Sequence, residues 1–184
     1  LYDQAAAAVT SEKAKDRERI MQTSKLETAT FAAGCFWGVQ DLFDAQKGVG
    51  KTFVGYTGGH TKKPIYKDVC TDSTGHAEAV EVYYDPKVIT YKQLLDVFFR
   101  LHDPTTVNRQ GPDAGSQYRS VIFYRNEAQK KEALDFISEL KKKKVFPEKI
   151  VTEVTVAKEF YKAEEYHQKY FKKTGQSGCH ILRK

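Results

Sequence analysis

Cysteine is scarce in this chain, with three in 184 residues, too few to staple a small secreted scaffold with disulfides. Long apolar runs are missing as well. None approaches the roughly 20 residues of a membrane-spanning helix, so no membrane association is expected. Neither sign of charge dominates: 30 basic residues face 24 acidic ones, and the net +6 is spread along the chain. No nucleic-acid partner is therefore expected. His60, Cys70, His76 and His102 show no C-x-x-C or H-x-x-x-H spacing, and Gly58-Gly59 lacks the Lys and Ser/Thr of a phosphate loop. No metal or organic cofactor is expected on those grounds. Repeats and low-complexity tracts are absent. What remains is 40% hydrophobic residues, including 11 Tyr and 11 Phe, enough for the core of one soluble domain.

The chain opens on Leu1, followed by an Ala run and a charged stretch, Glu12 to Arg19, with no apolar signal core. Residues 1–24 are read as an extension outside the main fold and 25–184 as a single domain. The cytoplasm is the expected compartment; an organellar or exported location after loss of a targeting segment is the alternative. Thr28–Ala33 is β-leaning and ends at a Gly, and Phe36–Lys47 has helical spacing and stops at Gly48. Lys51–Tyr56, Ala77–Tyr84, Tyr118–Tyr124 and Val151–Val156 read as strands. Thr90 and Gln93 form a capping box before Leu94, Val97, Phe98 and Leu101, and Asn126 caps a second amphipathic helix. A last helix is expected over Ala163–Lys173, before a mobile Gly-bearing tail at 174–184 that carries Cys179. The order β-α-β-β-α-β over residues 28–124 predicts an α+β, split β-α-β (ferredoxin-like) two-layer plait. Its sheet would be mixed but mostly antiparallel, with extra helices and a C-terminal coil.

The densest chemistry lies in Gly34-Cys35-Phe36-Trp37-Gly38. A Cys where a strand meets a helix sees the positive end of the helix dipole and free backbone N–H groups, which favour the thiolate. The alternative is a buried Cys in an aromatic cluster. Glu78, in Thr74-Gly75-His76-Ala77-Glu78, shares a strand face with Val80 and Val82. If that face is buried, desolvation raises its pKa and equips it as a general acid; in the opposite register it is merely solvated. Tyr66 and Tyr118 offer phenolic donors, or simply pack. Asp113 follows Pro112 and is equally plausible as a turn residue. Cys70 reads as a buried structural thiol, His102 as a structural histidine, and Cys179 as either a mobile second thiol or an unremarkable one.

Together these stretches resemble the type A peptide methionine sulfoxide reductases. Tyr66-Lys67-Asp68-Val69-Cys70, His102-Asp103-Pro104-Thr105, Gln117-Tyr118-Arg119-Ser120 and Ala163-Glu164-Glu165-Tyr166-His167-Gln168 extend the match. The resemblance implies that Cys35 attacks the sulfur of a methionine-S-sulfoxide, in proteins or free, and becomes a sulfenic acid. Glu78 would protonate the departing oxygen, Tyr66 and Tyr118 would hydrogen-bond it, and Asp113 would order the site. Phe36 and Trp37 would receive the methyl group, with Gly34 and His76 completing the substrate contacts. Cys179 would condense with Cys35 to a disulfide, which the expected partner, thioredoxin, would reduce. Many relatives carry two tail cysteines, whereas this chain has only Cys179, so thioredoxin should attack the Cys35–Cys179 bond directly. A monomer is expected. The rival classes are another cysteine-nucleophile enzyme such as a hydrolase, with a His base on Cys35, and a non-catalytic module that binds oxidised peptides.

Overall fold

The computed structural model describes residues 14–18 and 25–184. The expected extension over 1–24 therefore lies largely outside the described residues. The elements run β1 (Glu27–Ala33), α1 (Phe36–Asp44), β2 (Val49–Thr57), α2 (Tyr66–Val69), β3 (Ala77–Tyr84) and α3 (Tyr91–Leu101). They continue with β4 (Arg109–Gln110), β5 (Asp113–Ala114), a 3-10 turn (Ser116–Tyr118), β6 (Ser120–Tyr124), α4 (Glu127–Lys142), β7 (Glu153–Val156) and β8 (Tyr161–Lys162). A second 3-10 turn (Glu165–His167) and α5 (Tyr170–Thr174) close the order.

The main sheet is ordered β7-β6-β1-β3-β2-β8. Its central four strands pair antiparallel in the split β-α-β plan, and β7 joins β6 in parallel after the α4 crossover. Two hydrogen bonds close the expected capping box: Gln93 N–H to Thr90 Oγ1 at 3.1 Å and Thr90 N–H to Gln93 Oε1 at 2.8 Å. Asn126 Oδ1 accepts the Gln129 N–H at 2.8 Å and starts α4. Phe31, Val54, Val80, Val82 and Ile122 of the sheet share one core with Phe36, Phe43, Leu94, Phe98 and Ile137 of the helices, so the helices cover one face. The other face carries a smaller cluster, Ala32, Ala77, Ala79, Val121 and Phe123. β3 is thus buried on both faces, and Glu78 begins the helix-covered row of Val80 and Val82.

Three local expectations are corrected. The helix expected over Ala163–Lys173 is broken in two. The Gln168 side chain donates to Val54 O at 2.9 Å and accepts from Val54 N–H at 3.0 Å, acting as an extra ladder rung on β2. Lys169 then turns left-handed (φ 56°) before α5 begins. Tyr118 sits in a 3-10 turn and not in β6. Cys70 is exposed, because Val69 is the residue of α2 that enters the core and Cys70 caps the helix on its outer side.

Candidate active site

β1 leaves the sheet at Gly34, whose φ of +88° is left-handed and whose missing Cβ would lie 2.6 Å from that of Gln110. Only glycine makes this turn without strain. It delivers Cys35 as the N-cap of α1, with no side-chain cap of its own. The next N–H, that of Phe36, donates to Glu78 Oε2 at 3.2 Å. Glu78 is 2% exposed. Burial pushes its carboxyl well above the usual carboxylate range, the field of Cys35 adds to this, the Phe36 N–H opposes it, and Asp113 reinforces it. The protonated form of Glu78 is thus favoured beside Cys35, which is the condition a general acid needs.

Both candidate phenols lie within electrostatic reach of Glu78. Burial raises Tyr66, as does its hydrogen bond with Cys70, and the charge of Glu78 acts in the same direction. Tyr118 is raised by burial and then by Glu78, Asp113, Cys70 and Cys35. Both remain O–H donors over the whole working range of pH. Asp113, on β5, is half-buried and acts on Glu78, Tyr118 and His180 through its charge. Phe36 is fully buried against Tyr56 and His167, with ring centroids 5.8 and 5.2 Å away. Trp37 stays half-exposed, stacked on Tyr170 at 3.8 Å, while its indole N–H donates to His167 Nδ1 at 2.9 Å.

The tail comes back over this cluster. Cys179 Sγ and the His180 ring pack where Gly38 has no Cβ; an alanine methyl there would lie 2.6 Å from His180 Nδ1. The acidities of the two thiols shift in opposite directions. Cys35 is pushed up, first by Cys179, then by burial, while the Trp37 N–H and His180 pull it down. Cys179 is lowered, first by its interaction with Cys35. While the tail is docked, the pull of the helix N-terminus on Cys35 is thus opposed by Cys179 and by burial. The helix N-terminus supplies a donor that favours the thiolate, and the neighbouring sulfur acts against it.

His76, expected at the substrate, has both ring nitrogens engaged by backbone. Nδ1 accepts the Gly59 N–H at 3.0 Å, and Nε2 lies 2.7 Å from Thr61 O. As placed, it holds the loop after β2. His102 behaves as a structural histidine: it is buried between Phe98 O at 2.6 Å and Ser120 Oγ at 2.7 Å, and burial pushes its pKa down to about 3.

Glu164 escaped sequence reasoning, although it stands in a stretch singled out there. Its carboxylate accepts Tyr56 O–H at 3.3 Å, the Tyr66 N–H at 3.3 Å to either oxygen and Tyr166 O–H at 3.2 Å. His167 Nε2 lies 3.7 Å away. One carboxylate therefore fixes the start of α2, and with it the backbone of Tyr66. No local pattern marks it, since Tyr56 and Tyr66, which tie it to the site, lie about a hundred residues earlier in the chain.

The peptide methionine sulfoxide reductase family model matches residues 27–184. The chain is 63% identical over 150 residues to a peptide methionine sulfoxide reductase MsrA of Methanosarcina acetivorans, covering 82% of this chain and 80% of that one. Among solved structures, reduced Mxr1 of Saccharomyces cerevisiae superposes with a TM-score of 0.81 at 42% identity, covering 87% of this chain and 93% of that one. The same yeast protein in complex with Trx2 gives a TM-score of 0.60 at 31% identity over 89% and 97% of the two chains. A buried acid on the first N–H of a cysteine-capped helix, two phenols and a returning thiol are thus found in a chain that belongs to the peptide methionine sulfoxide reductase family.

Proposed function

We propose that this reductase works through Cys35 as nucleophile, Glu78 as acid and Cys179 as resolving thiol, on the S epimer of methionine sulfoxide, free or in proteins. The observation that carries this reading is Glu78, buried at 2% exposure and hydrogen-bonded to the residue after Cys35, where burial raises its pKa. Cys35 gives up its thiol proton and bonds to the sulfoxide sulfur as the S–O oxygen takes the proton of Glu78, with Tyr66 and Tyr118 donating to that oxygen; the thiol proton restores Glu78. Methionine leaves as a thioether, and the oxygen ends on Cys35 as a sulfenic acid. Asp113 orders the phenols through its charge, Trp37 with Phe36 behind it walls the methyl side, and Gly34 makes the turn that presents Cys35. Cys179 then displaces the sulfenic oxygen as water, and a thioredoxin reduces the disulfide. The yeast relative's complex with Trx2 supports that partner.

We place this work in the cytoplasm, as a monomer using no metal or organic cofactor. The three free thiols suit a reducing compartment, and no helix among the described residues is long and apolar enough to cross a membrane. A hydrolase would need a His base on Cys35, whereas His180 Nδ1 meets Cys179 Sγ at 3.3 Å. Turnover of the separate S and R sulfoxides by wild type and Cys35→Ser tests the assignment. Reduction of S alone by wild type, and of neither epimer by the variant, is expected; undiminished turnover in Cys35→Ser overturns it.

A further inference from the structure

We propose that His180 is the general base that activates Cys179 for disulfide formation with Cys35. The proposal rests on the reading above that Cys179 resolves the Cys35 sulfenic acid. His180 Nε2 lies 2.7 Å from the carbonyl oxygen of Ala33, at the end of β1. A carbonyl only accepts, so Nε2 carries the hydrogen, and a neutral ring then has its lone pair on Nδ1. Nδ1 is the atom 3.3 Å from Cys179 Sγ. The strand end thus fixes the tautomer that can take the thiol proton, in the way a triad carboxylate orients its histidine. Burial lowers the imidazole's pKa, which keeps the ring neutral and its lone pair available, while Cys35 and Asp113 act against that shift. The notch at Gly38 is the second, independent feature: a side chain there would expel both the sulfur and the ring.

The step balances. Nδ1 takes the Cys179 proton, and the thiolate attacks the Cys35 sulfur of the sulfenic acid. The S–O bond breaks, and the hydroxide leaves as water with the proton from Nδ1. Cys179 is oxidised, the Cys35 sulfur is reduced from sulfenic acid to disulfide, and His180 is regenerated.

Single-turnover mixing with one equivalent of methionine-S-sulfoxide tests this, with methionine release and Cys35–Cys179 disulfide followed together by quench and mass spectrometry. In His180→Ala and His180→Gln, disulfide formation is expected to fall at least about tenfold behind methionine release, the low end of the effect of a general base. Sulfenic acid trapped at Cys35 by dimedone should accumulate, and free imidazole should restore the rate in His180→Ala. The Gln variant keeps an N–H for Ala33 O without a base. If it resolves at the wild-type rate, the ring is only an anchor and the proposal is overturned, as it is by a wild-type rate in His180→Ala or by failure of imidazole to rescue. A wild type that forms sulfenic acid yet no 35–179 disulfide overturns instead the reading on which the proposal rests.

Discussion

Glu78 Oε2 accepts the backbone N–H of Phe36 at 3.2 Å, so the helix that presents Cys35 gives one of its free N-terminal donors to the acid. The other carboxyl oxygen is left to carry the proton. Glu78→Gln keeps the acceptor and the volume but has no transferable proton. Its turnover should fall by about two to four orders of magnitude, the usual worth of a general acid, with the fold retained by circular dichroism. A loss under about threefold would contradict this role.

The same carboxyl links pH to stability. Its folded pKa is raised, so between the unfolded value of about 4.3 and that raised value the folded state binds the extra proton. Stability then falls as pH rises through this window. Melting temperatures of Glu78→Gln and wild type should diverge with rising pH, the variant gaining on the wild type. A difference independent of pH would show that Glu78 ionises normally.

The docked tail raises the pKa of Cys35, with Cys179 the largest cause and burial the next. Cys179→Ala removes that cause and leaves burial. The midpoint of the pH profile for alkylation of Cys35 should move down, measured as the rate of iodoacetamide labelling at that residue. An unchanged or higher midpoint would contradict the pairing.

Gly38→Ala places a methyl on Cys179 Sγ and the His180 ring, while alanine favours a helix interior over glycine by up to about 1 kcal/mol. The variant should therefore melt no lower than wild type and yet form the 35–179 disulfide several-fold more slowly. Disulfide formation at the wild-type rate would show that the tail reaches Cys35 by another path.

Glu164 holds Tyr66 by its backbone and Tyr56 by its hydroxyl. Glu164→Gln should lower kcat/KM by about three- to tenfold, the cost of weakening one or two hydrogen bonds. Combined with Tyr66→Phe the losses should be less than additive, because both act through one phenol. Full additivity would separate Glu164 from the site.

The plait was legible because β1, β2, β3 and β6 announce themselves locally: a Gly ends the first strand, Thr90 and Gln93 close a capping box, and Asn126 starts α4. The row of Glu78, Val80 and Val82 was legible as a face, and the packing of both sides of β3 chose its direction. Residues 163–174 were not, because the periodicity there cannot show that Gln168 will satisfy the Val54 backbone. The opposing influence on Cys35 was not legible for a similar reason: the helix N-terminus is local and visible, but the sulfur that acts against it lies in the tail. His76 and Glu164 likewise take their roles from partners brought near by folding, such as the Gly59 N–H and the Tyr66 N–H.

The most direct test is the intact mass of the reduced protein after one equivalent of methionine-S-sulfoxide, with the R epimer as control. A loss of about 2 Da with S alone, mapped to a bond between Cys35 and Cys179, is the expected product of sulfenic acid formation and resolution. No mass change with either epimer, or a bond that leaves out Cys35, would contradict the account.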